Sequence, residues 1–287
     1  MKNRRDGIYI PETDPMHAIM PYFLPNRADN EAVIYETFDL SAIEAFLEKK
    51  NADDPEYKYT FFHVICAAIA KAIYLRPRMN RYYSGFRLYD RKDISLAFVV
   101  KRKFTDNADE VLSILKINKE SDEAPLDQIY SKVKDTVYGV RKENKTDGAT
   151  DVMALLTVLP RPIMKLVVKL LDFLDYHDMY PMSLMKVDPY FASVFISNLG
   201  SIKMKAGYHH LANRGTNSLF VIIGEKKMSP VFSEDGSVTM KNTLSLGITV
   251  DERIADGYYF SKTIKLLKKI FENPELLELP LSAPIEE

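Results

Sequence analysis

FASVFISNLG (residues 191–200), TNSLFVIIGE (216–225), PVFSEDGSVTMKN (230–242) and LSLGITV (244–250) follow one another closely and end at DERIADG (251–257). These stretches are short, rich in β-branched and aromatic residues, and bounded by glycine, asparagine or charge, which are strand signals. Asp235-Gly236 lies in the middle of the third stretch and marks a hairpin turn. The C-terminal third is therefore expected to be a sheet. YYFSKTIKLLKKIFENPELL (258–277) closes it as a helix, with apolar residues at helical spacing and an interruption at Asn273-Pro274.

Upstream, TFFHVICAAIAKAIY (60–74) is apolar almost all round, the pattern of a buried helix. His63 and Cys66 lie on it and are expected to be core residues. AVIYETFD (32–39) reads as a strand, and Ser41 opens an amphipathic helix. RKDISLAFVVKRKF (91–104) reads as another strand, with helices expected near Asp109–Leu115 and Leu126–Asn144. Residues 1–30 carry Pro11, Pro15, Pro21 and Pro25, and repeated proline favours an extended N-terminal arm over a helix. Residues 151–185 read as a helical insertion, amphipathic from Ile163 to Leu174 with Lys165, Lys169 and Asp172 interleaved. That face is expected to pack against the same or a neighbouring subunit rather than a membrane surface, with a lid over an apolar ligand site as a further possibility. No repeat, linker or composition shift divides the chain, so residues 1–287 are read as one α/β domain.

The 287 residues hold 39 lysines and arginines against 40 acidic residues, a formal charge of −1. That balance offers nothing to nucleic acid or to an anionic membrane. One cysteine excludes a disulfide framework. With five histidines and no HExxH pair, no metal is expected. The start lacks the apolar run of a signal peptide, and no stretch reaches the roughly 18 apolar residues of a membrane span. A cytoplasmic protein without membrane contact is expected.

Phosphate loops, dinucleotide fingerprints and GxSxG elbows are all absent from the sequence. Three constellations remain. Ser197-Asn198-Leu199-Gly200 ends a strand, where a hydroxyl could donate to a developing oxyanion, although such residues are also ordinary turn formers. Tyr208-His209-His210 holds the paired histidines, with Asn213 beyond them. Histidine has the pKa for general base work near neutral pH, but paired histidines in a loop are also common surface decoration. Asp251–Gly257 stands between strand and helix; its charges suit a salt-bridged turn with Asp256 near the helix N-terminus.

Taken in order, SVFISNLG, SLFVIIGE, the hairpin, DERIADG and FENPELL resemble the catalytic domain of the dihydrolipoyl acyltransferases of 2-oxo acid dehydrogenase complexes, whose fold chloramphenicol acetyltransferase shares. The resemblance is strongest over 190–278, weaker over 30–103, and largely missing over 104–189. It implies a two-layer sandwich of a mixed β-sheet covered by helices, assembled as a homotrimer with active sites between subunits. It also implies coenzyme A or acyl-coenzyme A as substrate and a small-molecule acyl acceptor. The chain shows no lipoyl or peripheral-binding domain, so a free-standing trimer is expected. Ser197 matches the hydroxyl that steadies the oxyanion; Asp256 matches an aspartate that pairs with an arginine and fixes the loop, and Gly257 follows it. Asn198, Asn213 and Gly257 are expected at the substrate. The departure is Glu252, which stands where the family has its histidine base. A carboxylate of ordinary pKa is a weak base toward a thiol or alcohol, and burial could raise it. The proton therefore falls to Glu252, His209 or His210, which the sequence leaves open. The alternative is a catalytically silent trimeric scaffold or ligand-binding member of the same fold.

Overall fold

The computed structural model describes residues 3–11, 14–101, 105, 110–142, 157–233 and 235–286. Its main sheet has six strands in the order β2 (Glu31–Asp39), β9 (Val238–Asp251), β8 (Leu219–Phe232), β7 (Val194–Asn198), β5 (Ile94–Lys101), β6 (Glu110–Ile117). β5, β7 and β8 are parallel and the other pairs antiparallel, so the sheet is mixed. A smaller antiparallel sheet joins β1 (Gly7–Ile10), β4 (Arg87–Arg91) and β3 (Arg81–Ser84).

Side chains that alternate along the strands separate the two faces of the main sheet. Val194, Ile196, Leu219, Val221, Leu246 and Ile248 point into one large core. Helices α2 (Ser41–Lys50), α3 (Phe61–Leu75), α4 (Pro125–Lys142) and the closing helix Gly257–Glu272 cover that face. This is the two-layer α/β sandwich expected from the sequence. Phe220 and Ile222 point the other way, into a second small cluster with Leu211.

α3 is the core helix its composition demands, buried from His63 to Ile73. Thr60 and His63 cap its start reciprocally: His63 Nδ1 accepts from the Thr60 backbone N–H at 3.0 Å and lies 2.8 Å from Thr60 Oγ1. Cys66 is buried, and burial pushes its thiol pKa up, so it stays protonated. Lys71, also fully buried, donates to the carbonyls of Leu276 (2.8 Å), Leu279 (3.3 Å) and Pro280 (2.9 Å), which pins the C-terminal segment across α3.

Two expectations change. Residues 15–23 of the proposed extended arm form helix α1 (Pro15–Phe23), capped by Asp14. Pro15 sits in the first turn, where a missing N–H costs nothing. Pro21 leaves the His17 carbonyl without its helical donor, and Tyr83 Oη donates to it at 3.3 Å. The helix expected near Asp109–Leu115 is instead strand β6, because EVLSILKI alternates buried and open positions with a period of two. Of the segment 151–185, residues 151–156 lie outside the described residues. The rest holds helices α5 (Arg161–Tyr176) and α6 (Met182–Met185), numbered so that the closing helix is α7 (Gly257–Glu272). α5 leaves Ile163, Leu166, Leu170 and Phe173 exposed, whereas Leu171 packs inward against Tyr180, Met185 and Phe191.

The His63 cap carries a pH dependence. Burial pulls its pKa down from 6.5 to about 4. The neutral ring therefore contributes stability that is full above pH 6.5 and is lost as pH falls toward 4. We predict a urea midpoint that drops through that window, and a flatter profile in His63→Gln, which keeps an acceptor at the capping position. A wild-type midpoint independent of pH between 6.5 and 4 would contradict this.

Candidate active site

The segment after β7 lies directly on the helix-free face of the sheet. Two glycines make that approach possible. A Cβ on Gly247 of β9 would stand 1.8 Å from the Gly207 carbonyl oxygen, and one on Gly224 of β8 would stand 2.5 Å from the Ala206 nitrogen. Only glycine admits backbone so close. Leu211, Phe220 and Ile222, with Phe195, Leu199 and Ala206 packed against them, then seal the segment to the sheet.

This brings Ser197 and His209 onto one face. Ser197 is the penultimate residue of β7, half-buried, and its hydroxyl has no hydrogen-bond partner among the described residues. Its register partner is Ile222 of β8, and Phe220 lies two positions earlier on the same face. By strand geometry the Ser197 and Phe220 Cα atoms are roughly 8 Å apart. The His209 ring stacks on Phe220 with centroids 4.2 Å apart and planes at 7°, and Phe220 stacks in turn on Phe195 at 5.0 Å. His210 stacks on the outside of His209 at 4.6 Å. Both histidines are exposed.

The two histidines differ in one hydrogen bond. His209 Nδ1 lies 2.8 Å from the His210 carbonyl oxygen. A carbonyl only accepts, so this bond requires the proton on Nδ1 and leaves the Nε2 lone pair of the neutral ring open. Among the described residues the His210 ring nitrogens have no partner.

The remaining expected residues fall elsewhere. Asn198 accepts from the Ser201 N–H at 3.2 Å and so shapes the turn after β7. Asn213 accepts from the Ala28 N–H at 3.0 Å. It lines a cavity of about 460 Å³ between α1, the β3–β4 turn, α5 and residues 213–215. Asp256 caps α7, accepting from the Tyr259 N–H at 2.8 Å, and stands 3.9 Å from Arg78. Gly257 is exposed at the start of α7. Glu252 is exposed in a short 3-10 turn, with no partner among the described residues. It does not share a site with Ser197 in the same chain. The register from Ser197 to Ile222 to Gly247, then five residues along, separates them by roughly 20 Å.

The strongest electrostatic feature of this region went unread in the sequence beyond its salt-bridged turn. Asp251, wholly buried, takes Arg253 in a bidentate pair at 2.8 and 2.7 Å, with Arg27 Nε 3.6 Å away. Arg27 then donates to the carbonyls of Ala212 (2.7 Å), Tyr83 (3.2 Å) and Gly215 (3.1 Å), and Arg253 to that of Leu24 (3.1 Å). Burial pulls the Arg27 guanidinium down to about 10, with Asp251 acting against that shift, so it remains charged at neutral pH. The D-x-R spacing at a strand end signals the Arg253 pair; nothing local signals Arg27, which is more than two hundred positions away in the chain.

Comparisons with known proteins fit this geometry. Residues 188–279 match the family model of the 2-oxoacid dehydrogenase acyltransferase catalytic domain. Among solved structures, the dihydrolipoamide acetyltransferase of Azotobacter vinelandii is similar, with a TM-score of 0.60 and 17% identity, over 94% of this chain and 95% of that one. A catalytic core of the 2-oxoacid dehydrogenase complex of Thermoplasma acidophilum gives 0.55 and 16%, over 93% and 99%. A chloramphenicol acetyltransferase gives 0.55 and 11%, over 92% and 99%. A search of curated proteins finds no match. The chain thus has the acyltransferase fold that its motifs resemble, and its C-terminal third matches the acyltransferase catalytic domain. Among the described residues no group of histidine, cysteine, aspartate or glutamate side chains is arranged to hold a metal, and no helix is long and apolar enough to cross a membrane.

The buried aspartate gives a direct prediction. Asp251→Asn leaves two guanidinium groups without their carboxylate and should cost about 3–5 kcal/mol in urea unfolding. Asp256→Asn, on an exposed cap where asparagine serves as well, should cost under about 0.5 kcal/mol. Equal stabilities for the two variants would contradict the role given to Asp251.

Proposed function

We propose that this protein is a coenzyme A-dependent acyltransferase that uses Ser197 and His209, moving an acyl group from a thioester to a small acceptor. The observation that carries the reading is the His209 Nδ1 bond to the His210 carbonyl, which leaves Nε2 as the basic nitrogen on the face that also holds the Ser197 hydroxyl. The acceptor, a hydroxyl, thiol or amine, gives its proton to Nε2 as it attacks the thioester carbonyl carbon. The carbonyl oxygen becomes an oxyanion and accepts a hydrogen bond from Ser197 Oγ–H. Collapse breaks the carbon–sulfur bond, and the coenzyme A thiolate leaves with the proton that His209 returns.

In this reading the base has moved from position 252 to the loop that the glycines hold on the sheet. His210, outside His209 in the stack, positions that ring. Glu252 serves a Ser197 only from a second copy, given the roughly 20 Å between them in one chain. That arrangement belongs with the homotrimer implied by the resemblance, which we carry as part of the proposal together with Asn198, Asn213, Asp256 and Gly257 near the substrate. The Azotobacter relative supports a serine role by analogy, since a serine, a histidine and an asparagine were investigated for its catalytic mechanism.

A catalytically silent scaffold is the second reading. It draws on the exposed apolar row Ile163, Leu166, Leu170 and Phe173 of α5, a face suited to another protein surface.

Release of free thiol from acetyl-coenzyme A, with a panel of hydroxyl, thiol and amine acceptors, separates the readings. We predict that His209→Ala lowers kcat/KM by about 10²–10⁴-fold and Ser197→Ala by about 10²–10³-fold. His210→Ala and Glu252→Gln should each change it by less than about tenfold. Loss on Glu252→Gln with His209→Ala unaffected would move the base to Glu252 across a subunit interface. No turnover with any acceptor, despite bound acetyl-coenzyme A, would favour the scaffold.

A further inference from the structure

Helix α5 lies on the protein without a single buried residue. Its inner side, Met164, Val167, Leu171 and Leu174, is half-buried, and Leu171 meets the small cluster of Tyr180, Met185 and Phe191. A second apolar row runs beside that one. Ile163, Leu166, Leu170 and Phe173 follow at helical spacing and so form one stripe along the axis. All four are open to solvent, with Leu166 67% and Phe173 54% exposed. A continuous apolar stripe in water is unfavourable until something covers it.

Charge on the helix is sorted with equal bias. Arg161, Lys165 and Lys169 recur once per turn on the flank of the exposed side, all three exposed, and among the described residues none has an ion-pair partner. The carboxylates near them are answered from elsewhere in the chain. Asp172 stands 3.5 Å from Arg214, Asp175 2.6 Å from Arg4, and Asp178 3.5 Å from Arg5. The polar ties that hold the helix down gather at the same end, where Arg4 also donates to the Asp175 carbonyl at 2.8 Å and Arg5 to that of Tyr180 at 2.6 Å. Residues 161–170 carry the whole cationic row and most of the apolar stripe. Among the described residues their side chains make no hydrogen bond or ion pair.

We propose that α5 docks this chain on an anionic lipid surface. The helix lies in the headgroup layer, with Ile163, Leu166, Leu170 and Phe173 between the lipids and Arg161, Lys165 and Lys169 on their phosphates. Charge complementarity carries the choice of occupant: free cations border the apolar stripe, while the acidic groups are already paired. Long basic side chains can also lay their stems along apolar surface and keep the charged heads at the phosphates. The formal charge of −1 predicts no such attraction, but that sum counts carboxylates which arginines of the same chain neutralise here. The proposal concerns where the chain sits, so it holds with or without acyl transfer.

The chain has no tryptophan, so Phe173→Trp supplies a single reporter, with Tyr258→Trp on α7 as the control. On vesicles of phosphatidylcholine mixed with phosphatidylglycerol, emission from Phe173→Trp should shift to the blue and that from Tyr258→Trp should not. Flotation of the whole wild-type chain with the same vesicles should show binding that falls as salt rises and is about tenfold or more weaker on phosphatidylcholine alone. Lys165→Gln combined with Lys169→Gln should lose about tenfold or more on the anionic vesicles. Leu166→Ser combined with Leu170→Ser should lose about tenfold or more on both kinds. These positions are exposed, and an unchanged thermal midpoint certifies the fold. The proposal is overturned if no vesicle binds, if both tryptophans shift alike, or if either double variant binds like wild type. It is also overturned if sedimentation without lipid finds wild type in a larger assembly than the Leu166→Ser, Leu170→Ser variant, because a second copy then covers the stripe. None of these outcomes decides acyl transfer, which the thiol-release assay reads separately.

Discussion

One wholly buried carboxylate organises the end of the main sheet. Asp251 is the last residue of β9, and without its two guanidinium partners a charge there would be far too costly to bury. With them, it becomes an anchor from which three remote pieces of chain are hung. Through Arg253 it holds the carbonyl after α1, and through Arg27 it holds the end of β3 and the segment 212–215. Arginine suits this task, because its rigid fork pairs with the carboxylate on one side and leaves donors for carbonyls on the other. The loop that carries the histidines is therefore tied down just beyond them by charge, and just before them by the backbone approach at Gly224 and Gly247.

Between those two ties, apolar stacking sets the orientation of the site. Phe195 and Phe220 come from adjacent parallel strands, and the His209 ring lies flat on the second of them. A stacked ring has little freedom to turn, so the bond to the His210 carbonyl fixes which nitrogen faces outward. For the general base proposed at His209, such preorganisation would define the line along which the proton is taken.

Much of this was legible in order along the chain. β-Branched and aromatic runs bounded by glycine, asparagine or charge, with the Asp235-Gly236 turn, gave the strands of the C-terminal third, and the all-round apolar character of residues 60–74 gave the core helix. The charges of 251–257 were readable as a salt-bridged turn and a helix cap, and both are present. What failed did so where distant groups decide the outcome. Four prolines argued against a helix before residue 24, yet one occupies a permitted first-turn position and the carbonyl left by another is satisfied by Tyr83, from far along the chain. β6 was misread because its apolar positions also fit a short helical pattern, and only pairing with β5 settles the period. The distance between Ser197 and Glu252 was invisible for the same reason: motif order along a chain says nothing about how many strands lie between.

The proposed mechanism rests on His209 presenting an unprotonated Nε2 on the face of the sheet that also carries Ser197. Nitrogen-detected NMR of protein labelled at histidine reads this directly, with His209→Gln assigning the signal. For the neutral ring, the account predicts the Nδ1–H tautomer at His209, with the proton slowed in exchange by the His210 carbonyl. A ring protonated on Nε2, or one averaging rapidly between tautomers like an unattached surface histidine, would contradict it.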